Sequence, residues 1–337
     1  MTTPERVLLA HGAGGRLTLE LIRDCFLPAL ANPALAALGD SAVLPELPPG
    51  RPALTTDAFV VDPPVFEGGD LGYLSVCGTV NDLAVAGARP VALTWALILE
   101  EGLPGERLET FVRGAARAAE EAGVALVAGD TKVVPRGKGD QAFAVTAGLG
   151  VVPPGRELGD ARIVPGDVVI VSGPLGEHGA TVLAHRHGMS GTGLRSDCAP
   201  LNGIVEALLA SGAEVHAMHD PTRGGLATTC HEAAARAGVR VVLEAEAIPL
   251  GAPVNAVCEV LGLDPLYIAC EGRLVAWVAA ADAARALAAL RRHPLGGGAA
   301  AIGAVEPGGD TPLVLVTPYG ARRVLDLLSG MDLPRIC

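Results

Sequence analysis

Short apolar runs broken by Gly-rich turns alternate along the chain with stretches in which apolar residues recur every three to four positions. Residues 53–61 (ALTTDAFVV) and 91–99 (VALTWALIL) read as strands, and TVNDLAVAGA between them has the small, apolar spacing of a buried helix. Residues 107–122 form an amphipathic helix, followed by strand VALVAG and the polar turn DTK. The strand AFAVTAGLGVV closes this half, and in residues 153–167 Pro, Gly and charge replace the periodic apolar positions. The second half restarts with strand VVIVSG, a Gly-rich turn and a helix. It continues with helix 202–211, loop HDPTRGG, helix 226–237, strand VRVVLEA and helices near 253–261 and 282–292. Residues 273–280 and 313–317 complete a sheet, and a last helix is expected at about 319–329, beyond which Pro334 prevents helix continuation.

Strands alternating with helices in both halves predict an α/β (mixed α+β) protein of two domains with mixed sheets, 1–155 and 156–330, followed by a tail, 331–337. A chain of 337 residues suits two cores of roughly 150 residues each. Half of the residues are hydrophobic, so burial can offset the entropy of ordering. The formal net charge of -12 argues against nucleic acid or an anionic membrane surface as partner, because both select basic patches. The start of the chain lacks the basic and longer apolar stretch of a secretory signal, and no apolar run is long enough to span a bilayer, so the expected location is cytoplasmic. Seven scattered cysteines without a CxxC pair suit neither a disulfide framework nor structural zinc. Six read as small buried hydrophobes, and Cys337 differs in being the last residue.

Five segments carry candidate chemistry: HGAGGR at 11–16, Thr56 and Asp57 near a strand end, Asn81 and Asp82 opening a helix, GDTK at 129–132, and DPTRGG at 220–225. There is no Walker A loop and no full GxGxxG pattern, so a nucleotide site here is of another kind. Aspartates at loop and helix starts can hold magnesium triphosphate through hard oxygen donors, and Gly-rich turns running into helices present N–H groups to phosphates. Taken singly, Asp57, Asp130 and Asp220 also suit turns, Asp82 suits a helix N-cap, and the glycines report backbone freedom. His11 and His178 read as hydrogen-bonded loop histidines without a chemical role. Glu271 is either a poised base or a charge at a strand entrance.

Together HGAGGR, TTDAFVVDPPVFEGGDLG, CGTVNDLAVAGARP, GDTKVVPRG, SGPLGEHGAT, DPTRGG, EGRLV and the terminal PRIC resemble, in order and rough spacing, the HypE family of hydrogenase maturation factors. The resemblance runs from about residue 7 to the end, and terminal PRIC separates this family from aminoimidazole ribonucleotide (AIR) synthetase, selenophosphate synthetase and thiamine monophosphate kinase. It implies a PurM-like, AIR synthetase-like architecture: an N-terminal α/β domain that dimerises through its sheet, a second α/β domain, ATP in a cleft between them, and a flexible C-terminal tail. It also implies roles. Asp57, Asp82, Asp130 and Asp220 map onto acidic positions serving Mg²⁺ and phosphates. Gly12, Gly14, Gly15, Asn81, Lys132, Thr222, Arg223, Gly224 and Gly225 map onto the nucleotide site.

In such a family the carbamoyltransferase HypF loads a carbamoyl group onto the terminal cysteine. The enzyme dehydrates it with ATP to a thiocyanate, and the cyanide passes to iron held by the HypC–HypD complex. Under that scheme Cys337 carries the substrate, Glu271 is the candidate base, and Lys132 and Arg223 neutralise phosphate charge. Pro135 and Arg136 after GDTKVV, and Pro221 in its loop, depart from the pattern without removing a functional group. Two other readings share the acidic segments: a PurM-like enzyme acting with ATP on a diffusible substrate, and a non-catalytic nucleotide-binding scaffold for maturation partners.

Overall fold

In the computed structural model, which describes residues 1–328 and 335–337, the chain divides into two compact units. Unit 1 holds Met1–Leu83, Ala88–Pro154 and Cys337, and unit 2 holds Ala84–Gly87 and Gly155–Ile336.

Unit 1 opens with the helical turns α1 (Arg16–Leu21), α2 (Leu27–Leu30) and α3 (Pro33–Ala36). Strands β1 (Arg51–Phe59), β2 (Val65–Phe66) and β3 (Gly69–Asp70) and helix α4 (Leu71–Val85) follow, then β4 (Arg89–Glu100), α5 (Gly105–Ala122), β5 (Ala125–Val134) and β6 (Ala142–Val152). The main sheet runs β1-β6-β4-β5, parallel only between β4 and β5. Helix α4 presents no polar stripe to solvent, since residues 71–81 are all buried. At Gly72 it approaches α5 so closely that a Cβ would stand 1.8 Å from the Phe111 carbonyl. Helix α5 has the amphipathic pattern of a one-sided element and stops at Gly123 in the left-handed conformation, φ 66°.

Unit 2 comprises β7 (Val168–Val171), α6 (Glu177–Arg186), α7 (Asn202–Ala210), β8 (Val215–His219), α8 (Gly225–Ala237) and β9 (Val239–Glu244). Helix α9 (Ala252–Leu261), β10 (Val275–Val278), α10 (Ala283–Arg292), β11 (Ala300–Pro307), β12 (Leu313–Val316) and β13 (Arg322–Val324) complete it. Among the described residues the sheet order is β13-β12-β9-β11-β7-β10-β8, and only β9 and β12 pair in parallel. Alternate side chains of one strand serve opposite cores. Val275 and Trp277 pack with Leu226, Ala227 and Cys230 of α8, while Ala276 and Val278 pack with Ile204 and Leu208 of α7 and Leu290 of α10. Helices α6 and α9 share a third cluster.

Three expectations are corrected. DTK is no turn: Asp130 to Lys132 continue β5, which lies at the sheet edge, so that polar side chains on its open face cost nothing. Asn81 and Asp82 do not open a helix but sit near the C-terminal end of α4, whose start is capped by Asp70. The expected helix at 319–329 is, as far as residue 328, a hairpin arm. Gly320, at φ 78°, and the Thr317–Ala321 hydrogen bond turn the chain so that β13 pairs with β12, and residue 329 lies outside the described residues. Strands β8 and β11 add to the elements expected from sequence. Cys25, Cys77, Cys198, Cys230, Cys258 and Cys270 are buried and unbridged, and Cys337 is half-exposed. Among the described residues no helix is long and apolar enough to cross a membrane.

Candidate functional site

In unit 1 the register of the sheet decides which acidic residues meet. Asp57, Thr146, Trp95 and Gly129 form one row across β1, β6, β4 and β5. This row faces α4: the Trp95 indole donates to Ser75 Oγ at 2.9 Å, and Thr146 Oγ1 lies 2.5 Å from Thr79 Oγ1. Asp57 stands beside Gly78, where a Cβ would lie 3.9 Å from its Oδ2. Asn81 and Asp82, three and four positions beyond Gly78, occupy the same helix face. Asn81 is fully buried, and Asp82 accepts a 2.7 Å hydrogen bond from the Thr55 hydroxyl. The structure therefore brings Asp57, Asn81 and Asp82 together between β1 and α4.

Asp130 and Lys132 are not with them. The row of Asp130, through Ala96, Val145 and Ala58, lies one residue out of phase with Asp57 and so projects from the opposite face of the sheet, as does the row of Lys132 through Ile98 and Phe143, two residues further on. There the Lys132 ammonium bonds both carboxylate oxygens of Asp130, at 2.6 and 2.7 Å, and holds that carboxyl below the usual range. The HGAGGR loop packs on the same strand. A Cβ at Gly12 would lie 2.4 Å from the Val133 nitrogen, which explains the glycine, whereas Gly14, at φ 80°, and Gly15 face open space. The His11 ring accepts from the Leu8 N–H at 2.8 Å, a local loop role. Also within unit 1, the Cys337 carbonyl accepts from the Val60 N–H at 3.1 Å.

In unit 2, topology gathers three loops at one end of the sheet. The C-terminal ends of β7 and β8 flank the N-terminal end of antiparallel β10, where Val275 is in register with both Val171 and His219. Loop 172–176 therefore leads to α6, and loop 220–224 to α8, beside the segment 268–273 that enters β10. The contacts are backbone contacts. The Cys270 N–H donates to the Pro221 carbonyl at 3.0 Å, and the Gly179 N–H donates to the Ala269 carbonyl at 3.0 Å. Gly225, at φ 60°, lies where a Cβ would be 2.7 Å from the carbonyls of Leu266 and Ile268. Gly224 precedes it at φ 73°, and Thr222 and Asp220 close the turn through a 2.9 Å backbone hydrogen bond. Arg223 is exposed.

Glu271 sits in the middle of this cluster, 1% exposed. Its N–H donates to Asp197 Oδ1 at 3.0 Å, and Gly272 lets the chain pass the Asp197 carbonyl, where a Cβ would come within 1.7 Å. Burial pushes the Asp197 carboxyl up to about 6 against the opposing charge of Arg273. Arg273 ties the loops together, bonding the Pro174 carbonyl at 2.8 Å and Glu177 at 2.6 Å. Burial raises the Cys270 thiol well above its ordinary value, which leaves it inert.

His178, in the first turn of α6, is fully buried. Its Nδ1 is 2.8 Å from Ser196 Oγ and its Nε2 is 2.8 Å from the Ile336 carbonyl. Sequence reasoning missed Asp197, Arg273 and Ser196. Arg273 lies inside a motif it noticed, but residues 190–200 (SGTGLRSDCAP) show no periodicity to single out the other two.

Among the described residues no three His, Cys, Asp or Glu side chains are grouped so as to hold a metal ion alone. Mg²⁺ asks for less, since one or two carboxylates suffice where phosphate oxygens and water complete the shell. Asp57 and Asp82 offer carboxylate oxygens, the donor type of such a site, from the facing elements β1 and α4.

Comparison with known proteins places these features in context. Residues 39–152 match the family of AIR synthase related proteins, N-terminal domain, and residues 164–316 match the corresponding C-terminal domain. Carbamoyl dehydratase HypE of Rhodobacter capsulatus is 48% identical, over 99% of this chain and 98% of its own length. A solved structure of the hydrogenase maturation protein HypE in complex with ATP is 43% identical. It aligns with a TM-score of 0.94 over 98% of this chain and 99% of that one. The structure of a HypE–HypF complex aligns at 41% identity and a TM-score of 0.79, over 91% of this chain and 99% of that one.

Proposed function

Since the chain belongs to the HypE family of carbamoyl dehydratases, within the PurM-like, AIR synthase related proteins, we propose the following reaction at its own C-terminus. The chain is an ATP-dependent carbamoyl dehydratase that converts an S-carbamoyl group on Cys337 to a thiocyanate, supplying cyanide ligands for the iron of [NiFe] hydrogenase. The observation that carries this reading is in unit 2. Ile336, the residue next to Cys337, is hydrogen-bonded to His178, whose neighbour Gly179 is bonded to the segment that buries Glu271.

An amide oxygen is a poor leaving group. Attack of the carbamoyl oxygen on the γ-phosphorus of ATP releases ADP and makes that oxygen part of a phosphate, with loss of one nitrogen proton. Loss of the second proton, with C–O cleavage, leaves S–C≡N and inorganic phosphate. Glu271 is the base for the nitrogen protons, and its burial keeps water from competing for them. Asp57 and Asp82 on unit 1 would hold magnesium, which would supply charge neutralisation for the triphosphate. The backbone N–H groups of Gly15 and Gly224, with Thr222 and Arg223, would contact phosphates; those of Gly14 and Gly225 already donate, at 3.0 Å each, to Thr18 Oγ1 and the Thr222 carbonyl, and Asp220 supports the second loop.

A homodimer is part of the proposal. The open face of the unit 1 sheet exposes Leu54 (79%) and Val145 (37%), apolar side chains that a second copy would cover. Asp130 and Lys132 share that face, so dimerisation sets them at the seam between copies. The remaining partners are the carbamoyltransferase HypF, named in the aligned complex, and a HypC–HypD iron carrier, with the reaction in the cytoplasm. Phosphate release tests the reading. ATP hydrolysis should follow the extent of Cys337 carbamoylation and vanish in Cys337→Ala, and turnover that persists in that variant would indicate a diffusible substrate instead.

A further inference from the structure

The geometry points to His178 as a positioning residue that, with Ser196, docks the terminal segment by the main chain and presents Cys337 for reaction. This rests on the dehydration reading above. The hydrogen-bond chemistry fixes the direction of each proton. A carbonyl only accepts, so the 2.8 Å contact between His178 Nε2 and the Ile336 oxygen requires the proton on Nε2. In the neutral ring Nδ1 is then an acceptor, and the Ser196 hydroxyl, 2.8 Å away, is its donor. The Ser196 oxygen in turn accepts from the Cys198 N–H at 3.0 Å, which turns its own hydrogen toward the histidine.

The result is a one-way relay from the Cys198 amide through Ser196 and His178 to the tail. Burial supports it, because the imidazole is pushed down to about 4 and stays neutral near pH 7, so the tautomer is not lost to a second ring proton.

A second contact from the same helix argues that the tail is the object of this arrangement. Arg186, two turns along α6, donates to the carbonyl of Arg335. Two successive main-chain carbonyls of the terminal segment are therefore gripped by side chains of one helix, and the Ile336 side chain is itself buried, 6% exposed. A grip on main-chain carbonyls is indifferent to what the thiol carries. Such a dock accepts the segment with Cys337 carbamoylated or cyanated, as a carrier that returns to one site in different chemical states requires.

The test uses the full chain and three variants, His178→Ala, His178→Gln and Ser196→Ala. Two readouts are taken: the rate at which iodoacetamide alkylates Cys337, followed by mass spectrometry of the C-terminal peptide, and the single-turnover rate of nitrile formation after carbamoylation. Loss of one hydrogen bond of ordinary worth changes a docking equilibrium by about tenfold. His178→Ala should therefore alkylate faster and dehydrate more slowly by about that factor, with ATP affinity and the extent of carbamoylation unchanged.

His178→Gln, which can still offer an N–H near the Nε2 position, should recover most of both rates, as a role in packing alone would not allow. Unchanged alkylation in His178→Ala overturns the proposal, as does a glutamine variant that is no better than alanine. Where alanine at 178 prevents folding, Ser196→Ala reads the same relay: faster alkylation supports it and an unaltered rate overturns it. Failure of the wild-type chain to form nitrile overturns the dehydration reading instead, and the alkylation measurement still decides whether His178 docks the tail.

Discussion

The hydroxyl of Thr55, on β1, donates a 2.7 Å hydrogen bond to the carboxylate of Asp82, on α4. This contact orients an acidic side chain from outside its own helix, on the sheet face that also carries Asp57. Removing the hydroxyl while keeping the shape, as in Thr55→Val, should weaken magnesium-dependent ATP turnover by about 10- to 100-fold, the usual cost of losing a group that orients a metal-binding carboxylate. Asp82→Asn should cost more and leave the fold intact by circular dichroism. Turnover unaffected by either change would remove Asp82 from the metal and phosphate site.

Glu271 offers a cleaner separation of binding from chemistry. Glu271→Gln preserves volume in a site that is 1% exposed, so ATP binding measured by calorimetry should be retained. The rate of nitrile formation should fall by about 100- to 10,000-fold, the range associated with loss of a general base. Normal nitrile yield in single turnover would exclude Glu271 as the base.

Asp70 gives a prediction for stability. It caps α4 by accepting from the N–H groups of Gly72 and Tyr73, at 2.9 and 3.0 Å, yet burial raises its carboxyl from 3.8 to about 6. Between those values the folded chain keeps a proton that the unfolded chain has released, so stability from this group is full below the lower value and is lost as pH rises through the upper. Asp70→Asn keeps an acceptor for the cap and has no charge to bury. Its melting temperature should exceed that of the wild type at about pH 8, and the gain should disappear by about pH 4. A difference independent of pH would show that the carboxyl is not carried protonated into the fold.

Much of this organisation was legible in the sequence, and the failures have physical causes. Strand β6 matches residues 142–152 because a nearly continuous apolar run there is bounded by a polar stretch before it and Pro153 after it, and α5 differs from expectation only at its first turn. Asp130 and Lys132 were misread as a turn because an edge strand with one open face shows polar residues where a central strand shows apolar ones. The TPYG segment before β13 holds a turn signal, Pro318 and Gly320, at the start of the stretch expected to be a helix. In the site, glycine and aspartate announced the loops through their backbone chemistry. The pairing of His178 with Ile336 joins residues 158 positions apart, and no local pattern encodes such a contact.

The central claim is tested most directly by intact mass spectrometry of the C-terminal peptide. The chain is supplied with the carbamoyltransferase, carbamoyl phosphate and ATP, with Cys337→Ala as control. The account predicts a carbamoyl adduct on Cys337 that loses one water only when ATP is hydrolysed, and no adduct on that peptide in the control. A carbamoyl adduct that persists unchanged beside normal ATP binding would contradict it and leave the chain as a nucleotide-binding scaffold.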